Sequence, residues 1–327
     1  MKRWWIVLAL GVMSWVGNVW GQENAAVERN NQSVTAEALY EAMLEHAPSA
    51  NYQGIFTHQS GNHMQSVEIV HGVHNGEIWE RMLHLDGATR EILRRGEDLY
   101  CVHSDARVEQ LQHQNNSLFG SKKPGAIRQL SKGYRFSVLG QQRVAGRLVV
   151  GLQLTPKDGT RHFYQMWLDA QTYVPLRTEL IEKTGKVLER YQFNFFNPVA
   201  EVKADQFEPR TNGAKLAKAE ESEVLKTTAD DVLEWRLNWV PAGFVDQAVE
   251  GYAPKLSARR IYSDGIVMFS VYVEQVDEIK DEGSAQSGPT VLSVQHKQWH
   301  GQQHRITVVG EIPLATAQRI GQSVELL

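Results

Sequence analysis

The sequence predicts a mainly β protein, with one large antiparallel sheet, curled or barrel-like, followed by a smaller α+β domain. Three observations support this fold class. Strand-like runs between Asn51 and Tyr100 alternate with turn signals at intervals of roughly ten residues, the spacing of an antiparallel meander. Strand patterns then continue to Phe196 with no intervening helical pattern. The chain of 327 residues is longer than one small core usually requires, so two domains are expected.

The N-terminal 21 residues have the pattern of a secretory signal peptide. Lys2 and Arg3 form a basic start, and an apolar stretch follows from Trp5 to Val16. A membrane anchor is the alternative, but the stretch is short for a span, which needs about 20 apolar residues. We therefore expect cleavage before Gln22 and export of the mature chain. No cysteine lies near the cut to carry a lipid anchor, and the single cysteine, Cys101, is expected in the core.

Composition and turn signals divide the mature chain. We expect a large β domain at 22–207, a charged linker at 208–230 and a small domain at 231–327. Ser33 or Thr35 is expected to cap a helix that runs to about His46, ahead of the first strand.

The small domain shows its own alternating pattern. The Asp264-Gly265 turn predicts a hairpin, and the strand after it carries an apolar face. That face consists of Val267, Phe269, Val271 and Val273. Residues 277–289 are predicted to form a mobile polar loop. Pro313 is expected to start a final helix, with Ala317, Ile320, Gly321 and Val324 on its inner stripe.

The charge distribution argues against nucleic acid as a partner. The formal net charge of −4 becomes −6 when Lys2 and Arg3 are removed with the signal peptide. Between Gln110 and Lys157, however, there is no acidic residue at all. A cluster of basic residues creates a positive potential that attracts anions. The alternative is an ordinary sheet surface, on which carboxylates from other strands balance these charges. The candidate anion patch consists of Lys122, Lys123, Arg128, Lys132 and Arg135.

No catalytic pattern is present. The sequence lacks a nucleophile elbow, a phosphate loop, an HExxH motif and a cysteine pair, so an unrecognised hydrolase is only a remote alternative. His71 and His74 are three residues apart, which places them on opposite faces of a strand and argues against a shared metal ion. We therefore expect no enzyme activity, no cofactor and no metal site.

Apolar and aromatic residues of the large sheet are predicted to share an inward face. The simplest interpretation of this face is core, and a lipid cavity is the alternative. The candidate cavity residues are Phe56, Ile69, Trp79, Trp167, Tyr191 and Phe193.

Short strings along nearly the whole mature chain carry a family resemblance. The chain resembles the MucB/RseB family of periplasmic regulators of the envelope-stress sigma factor, sigma-E. Each string is weak by itself, but their order and spacing together are specific. In the large domain they are Asn51–Phe56 (NYQGIF), Glu68–His71 (EIVH), Glu80-Arg81, Leu85-Asp86-Gly87, Val144–Arg147 (VAGR) and Trp167–Asp169 (WLD). In the small domain they are Pro241–Phe244 (PAGF), Tyr262–Gly265 (YSDG), Ser270–Glu274 (SVYVE) and Val308–Pro313 (VVGEIP).

The resemblance implies a fold and a function. The large domain would be an unclosed half-barrel similar to lipoprotein carriers, and the small domain a separate α+β unit. The protein would bind the periplasmic region of a single-pass inner-membrane anti-sigma factor and shield it from regulated proteolysis. Lipopolysaccharide or mislocalised lipoprotein would release it. Both a monomer and a homodimer agree with this reading, and a periplasmic lipid or lipoprotein carrier of the Lol type is the alternative function.

No sharp motif marks the contact residues of the family, so the candidate contacts with the partner are chosen within the small domain. We expect the anti-sigma segment at the hairpin turn and the strand that follows it, at Tyr262, Ser263, Asp264, Gly265 and Glu274. The alternative is that these residues only make the hairpin. The anion patch would bind lipid phosphates or an acidic anti-sigma segment, and the linker would be the hinge between the two domains.

Overall fold

The computed structural model describes residues 35–111, 126–216, 234–247, 259–279 and 282–327. The predicted signal peptide lies outside the described residues, and the predicted linker is described only as far as Leu216. Within the described chain, eleven strands form one sheet, six form a second, and two form a separate ribbon. This confirms the mainly β fold with a second, smaller sheet.

The large sheet is antiparallel and open. Its strands are β1 (Tyr52–Ser60), β2 (His63–His74), β3 (Glu77–His84), β4 (Arg90–Arg95), β5 (Asp98–His103), β6 (Val108–Leu111), β7 (Tyr134–Val144), β8 (Arg147–Pro156), β9 (Phe163–Asp169), β10 (Pro175–Ile181) and β11 (Val187–Pro198). They lie in the order β6-β5-β4-β3-β2-β1-β11-β10-β9-β8-β7. Because β6 and β7 remain as two separate edges, the sheet does not close into a barrel.

Two helices accompany the large sheet. Helix α1 (Ala36–His46) begins at Thr35, whose Oγ1 accepts a hydrogen bond of 3.1 Å from the Ala38 amide. Its buried stripe packs against β7 and β8, and the rings of Tyr40 and Phe136 lie 5.6 Å apart. The predicted start and end of this helix are confirmed. Helix α2 (Ala126–Gly133) leads directly into β7, which corrects the prediction that no helix interrupts the strands before Phe196. We call the side of the sheet that carries α1 the helix face.

A segment from 199 to 216, which we call the strap, crosses the opposite side of the sheet. Its anchor is Phe207, which is fully buried with its ring centre 5.7 Å from that of Trp79. The buried Glu91 carboxylate accepts hydrogen bonds from the Thr211 amide at 2.7 Å and the Arg210 amide at 2.9 Å. The strap therefore covers β2, β3 and β4 on the side opposite α1, and we call this side the strap face.

Replacement of Gly72 by alanine is expected to lower the free energy of unfolding by about 1–3 kcal/mol, because it overpacks the contact between β2 and the strap. A Cβ atom at Gly72 would overlap Val202 and lie 2.6 Å from Asn51 Oδ1. Urea denaturation measures the change. The neighbouring substitution Val73→Ala is the control, since Val73 is 38% exposed. Equal effects of the two substitutions would contradict this packing argument.

The smaller sheet consists of β13 (Val245–Asp246), β14 (Arg259–Ser263), β15 (Met268–Val276), β16 (Gly283–Ser287), β17 (Thr290–Trp299) and β18 (Gln302–Gly310). Helix α3 (Leu314–Gln322) packs on β17 and β18, and β12 (Trp235–Leu237) pairs with β19 (Val324–Leu326). The predicted inner face of β15 is confirmed, since Val267, Phe269, Val271 and Val273 are at most 1% exposed.

Two sequence predictions for this region were wrong. The stretch 277–289 contains strand β16, which pairs with β17 from Gly283 opposite Val294 to Ser287 opposite Thr290. All five residues of β16 are exposed, so backbone hydrogen bonds hold this edge strand without an apolar pattern. Val324 does not belong to the final helix but starts β19.

Candidate functional site

The two sheets meet in a shared core. Buried side chains of the large sheet and of the smaller sheet belong to a single hydrophobic cluster. It contains Tyr134 and Leu154 from one sheet, and Phe244 and Phe269 from the other. We call the region of contact between the sheets the junction. Binding sites occur preferentially at boundaries of this kind.

A buried ion pair lies at the centre of the junction. Arg161 precedes β9, and its side chain is fully buried. Its Nε donates to Asp264 Oδ2 at 2.8 Å, and its Nη2 donates to the carbonyl of Ala242. The guanidinium also lies 4.5 Å from the ring centre of Phe244 and 5.5 Å from that of Tyr134. The Arg161 side chain thus contacts two turns beside the smaller sheet, one at Ala242 and Phe244 and the other at Asp264.

Helix α2 contributes a second polar contact to the junction. The side-chain amide of Gln129 donates to the carbonyl of Gly243 at 3.0 Å and to that of Ser263 at 3.3 Å. Gly243 has a φ of +93°, and a Cβ there would lie 3.0 Å from the carbonyl oxygen of Gln129. The glycine therefore permits both the turn and the close approach of α2.

A third contact places a carboxyl group of the smaller sheet over the helix face. Glu311 follows β18, and it lies near Glu189 of β11 and the hydroxyls of Tyr164 and Tyr191. Burial, together with the negative charge of Glu189, raises the pKa of Glu311 to about 7. Close by, Thr316 Oγ1 donates to the carbonyl of Thr160 at 3.2 Å. The smaller sheet is therefore attached to the large one on both sides of Arg161.

Aromatic side chains cluster on the helix face. Phe56 of β1 lies opposite Phe193 of β11, with ring centres 5.6 Å apart, and 6.2 Å from the ring of Tyr191. Tyr52 joins the cluster through Phe193 at 5.9 Å. The register of β1 and β2 places Ile69 on the same face. Four of the six predicted cavity residues, Phe56, Ile69, Tyr191 and Phe193, are thus together.

The two tryptophans predicted for this face lie elsewhere, which corrects that placement. Trp79 pairs with Gly72 and packs under Phe207 of the strap, on the other side of the sheet. Trp167 alternates with the helix-face residue Met166, so its side chain also points away from that face. The guanidinium of Arg177 lies 4.9 Å from its ring centre.

The predicted anti-sigma contacts are mostly internal. Tyr262 is buried and stacks on Phe269 at 5.1 Å. Asp264 is 1% exposed and belongs to the ion pair with Arg161. Ser263 Oγ accepts a hydrogen bond from the Gly265 amide at 3.0 Å. These contacts form a hairpin turn, which is the alternative interpretation of these residues. Asp264 also joins this turn to the large sheet.

The fifth predicted contact is exposed. Glu274 lies at the other end of β15 and pairs with Arg305 at 2.8 Å on the surface of the smaller sheet. It is not brought together with the hairpin turn, because β15 separates them.

The described part of the anion patch lies beside the hairpin turn. Arg128 and Lys132 are exposed on α2, and Arg135 is exposed at the start of β7. Because Gln129 of the same helix contacts Ser263, these cations stand next to the predicted anti-sigma turn. Lys122 and Lys123 lie outside the described residues.

Two further observations concern the described residues only. They contain no group of three or more histidine, cysteine, aspartate or glutamate side chains arranged to hold a metal ion. None of their helices has the length and apolar character needed to cross a membrane.

A large open sheet with a second α+β sheet docked on it through a polar junction is the architecture of a two-part binding protein. The chain belongs to the MucB/RseB family: residues 35–211 match the model of the MucB/RseB N-terminal domain, and residues 229–325 match that of the C-terminal domain. Its family is one of regulatory proteins rather than enzymes.

Known relatives cover almost the full chain. The sigma factor AlgU regulatory protein MucB of Pseudomonas aeruginosa is 30% identical over 299 residues, which are 90% of this chain and 92% of that protein. The sigma-E factor regulatory protein RseB of Escherichia coli is 25% identical over 336 residues, 99% of this chain and 98% of that protein. The solved complex of Pseudomonas aeruginosa MucA and MucB matches with a TM-score of 0.71 and 28% identity, covering 89% of this chain and 98% of the matched chain.

Proposed function

We propose that this protein is a periplasmic regulator that restrains an envelope-stress sigma factor by binding the periplasmic region of its transmembrane anti-sigma factor. The observation that carries the proposal is the match of both halves of the chain to the two MucB/RseB domains. A relative with the same two-sheet fold was crystallised with the periplasmic part of MucA. Bound in this way, the anti-sigma segment would be sterically shielded from the protease that initiates the response.

The surface that best suits the partner is the rim of the junction on α2. Arg128, Lys132 and Arg135 supply exposed positive charge there, and the Ser263–Gly265 turn supplies backbone groups from the second sheet. Complementary charge steers association and fixes the register of a bound segment. An acidic, extended segment lying across this rim would contact both sheets at once. Its affinity would then depend on their relative position.

Release of the anti-sigma segment would follow from thermodynamic linkage between lipid binding and anti-sigma binding. Phe56 and Phe193 are at most 9% exposed in this closed arrangement, so an acyl chain gains access to them only when their cover moves. A lipid that binds the opened form lowers the affinity for the anti-sigma segment by its differential affinity for the two forms. Lipopolysaccharide or mislocalised lipoprotein would act in this way.

Substitution of Arg128 and Lys132 by serine is expected to weaken anti-sigma binding by about three- to tenfold, since both are charges at the rim of the site. Calorimetric titration of residues 22–327 with a synthetic periplasmic segment of the host's anti-sigma factor measures the affinity. The control variant, Lys183→Ser with Lys186→Ser, removes the same charge from an exposed turn between β10 and β11. Equal affinities of the two variants would contradict the location. No binding by the unmodified protein would contradict the function.

The same titration distinguishes the carrier alternative, which the apolar helix face favours. Addition of lipopolysaccharide fragments should weaken anti-sigma binding if the protein is a regulator. A carrier of the Lol type would instead bind the lipid and show no affinity for the anti-sigma segment. The two outcomes exclude each other in one experiment.

A further inference from the structure

Strand β7 forms one edge of the large sheet, and its outer side is unpaired. Within the part of the chain that the structure describes, β7 pairs only with β8, and no other strand shares a backbone hydrogen bond with it. Such an edge presents a row of backbone donors and acceptors with which another extended segment can pair. Because β7 follows α2 directly, this edge begins at the rim of the proposed anti-sigma site.

The register of β7 and β8 shows which backbone groups point outwards. Residues of an antiparallel strand alternate between pointing at the partner strand and pointing away from it. Val144 and Arg147 flank a two-residue turn and therefore form a hydrogen-bonded pair. At the other end of β7, the carbonyl of Gly133 accepts from the Lys157 amide. Alternation from both ends, on either side of the bulge after Val138, leaves the backbone groups of four residues directed outwards: Phe136, Val138, Gln141 and Arg143.

The centre of β7 is exposed on both faces of the sheet. Five consecutive residues, 137–141, are exposed. Val138 lies opposite Leu152 of the helix face and is 44% exposed. Leu139 lies beside Gly151 on the other face and is 37% exposed. A strand added at this edge would therefore cover apolar side chains on both of its sides.

The charges along this edge favour an acidic partner. Residues 126–144, which form α2 and β7, contain no acidic residue and four basic ones, Arg128, Lys132, Arg135 and Arg143. Two of these, Arg135 and Arg143, stand near the two ends of β7, with the exposed apolar residues between them. Helix α1 packs on β7 and carries glutamates at 37, 41 and 45, but these are exposed and lie outside its buried stripe. Acidic side chains at both ends of an added strand would be complementary to the two arginines.

The same two charges argue against a second copy of this chain as the occupant. Antiparallel pairing of two β7 strands around Leu139 would place Arg135 of one copy opposite Arg143 of the other. Like charges directly opposite each other on neighbouring strands are destabilising. A different chain with acidic residues at these positions pairs without that repulsion.

We propose that the outer edge of β7 binds the anti-sigma segment as an added β-strand, with apolar side chains against Val138 and Leu139 and acidic ones at Arg135 and Arg143. This inference rests on the proposed function and adds the manner of binding at the same rim. In strand addition the backbone hydrogen bonds supply affinity, and the alternating side chains set the register.

Amide hydrogen exchange of residues 22–327, with and without a synthetic periplasmic segment of the host's anti-sigma factor, tests the proposal residue by residue. The outward amides of Val138, Gln141 and Arg143 should exchange rapidly in the free protein and at least about tenfold more slowly in the complex. The amides of Ser137 and Gln142 point to β8, so they serve as the reference within the same strand and should change less.

A pair of proline variants tests the edge by affinity. Gln141→Pro removes an outward donor but no hydrogen bond to β8, and it is expected to weaken binding of the segment about tenfold. Ser284→Pro is the matched control, because alternation from the Ser287–Thr290 pair places the Ser284 amide on the open edge of β16 in the smaller sheet. Urea denaturation verifies that both variants are folded. Arg143→Ser keeps the backbone intact and is expected to weaken binding about threefold.

The outcomes separate this proposal from the function on which it rests. No binding of the segment by the unmodified protein would overturn both. Binding that leaves the exchange of Val138 and Gln141 unchanged, or equal affinities of the two proline variants, would overturn strand addition and leave the function standing. Slow exchange of these amides in the free protein would also overturn it, since another part of the chain would then cover the edge. Protection that rises with protein concentration alone would assign the edge to a second copy instead.

Discussion

Replacing Asp264 by alanine is expected to lower the free energy of unfolding by about 3 kcal/mol, because it leaves the buried Arg161 with the partly exposed Asp158, 3.3 Å away, as its remaining ionic partner. Neither partner has access to water: the Arg161 side chain is 0% exposed and that of Asp264 is 1% exposed. The substitution also removes a hydrogen bond within the hairpin turn, in which Asp264 Oδ1 accepts from the Val267 amide at 2.9 Å. Urea denaturation followed by circular dichroism measures the change.

Two variants separate the ion pair from the turn. Asp264→Asn keeps an oxygen for the Val267 amide but removes the charge, so it should retain most of the destabilisation if the ion pair dominates. The double variant Arg161→Met with Asp264→Leu removes both buried charges, and it should be more stable than Asp264→Ala because the carboxylate that loses its arginine, Asp158, is 34% exposed. Glu274→Ala breaks an exposed pair and should cost less than about 1 kcal/mol. An Asp264→Ala effect as small as that of Glu274→Ala would contradict this account of the junction.

Local patterns were sufficient to predict the strands and their turns. The alternation through Val267, Phe269 and Val271 predicted a buried face, and each of these side chains is at most 1% exposed. Thr35, one of the two predicted caps, and the predicted end near His46 bounded the first helix correctly, because caps act within one turn of chain. Strand β16 was missed for the same reason, since its Gly-Ser-Ala-Gln-Ser sequence carries no apolar period and only its pairing with β17 holds it.

The face on which a strand residue lies could not always be predicted. Alternation separates Trp79 from Met82 but does not say which side faces the helix, and at β3 both sides are covered. Aromatic character therefore suggested one inward face where the structure has two. Ile55, an apolar residue between Gly54 and Phe56 of β1, is explained by the same fact, because it lies on the strap face opposite Glu68.

The centre of the junction had no signal in the sequence. Arg161 and Asp264 are 103 positions apart, and neither stands in a motif that names the other. Asp264 was singled out for its turn, and the turn is present, but the same carboxylate also binds a cation from another sheet. Long-range ionic pairs depend on how two independently patterned sheets dock, and residue order does not encode that directly. The positions of Gln129 and Glu311 were unpredictable for the same reason.

Replacing Glu311 by glutamine is expected to stabilise the protein at pH 8 by up to about 3 kcal/mol and to leave its stability at pH 4 unchanged. The pKa of Glu311 is raised from 4.5 to about 7 in the folded protein, by burial and then by the charge of Glu189. Between these values the folded state keeps a proton that the unfolded chain has released. The contribution of this group is therefore complete below pH 4.5 and is lost as the pH rises through 7.

Denaturation curves at half-unit steps from pH 4 to pH 8 measure this effect. The unmodified protein should lose stability across the window relative to Glu311→Gln, whereas the exposed Glu274→Gln should follow the unmodified protein. Glu189→Gln should move the loss to lower pH, since it removes the like charge but leaves Glu311 buried. Parallel curves for the unmodified protein and Glu311→Gln would contradict the burial argument. Glu311 belongs to the smaller sheet and Glu189 to the large one. Above pH 7 both side chains are negatively charged and repel each other across the junction. We therefore expect this contact to open first.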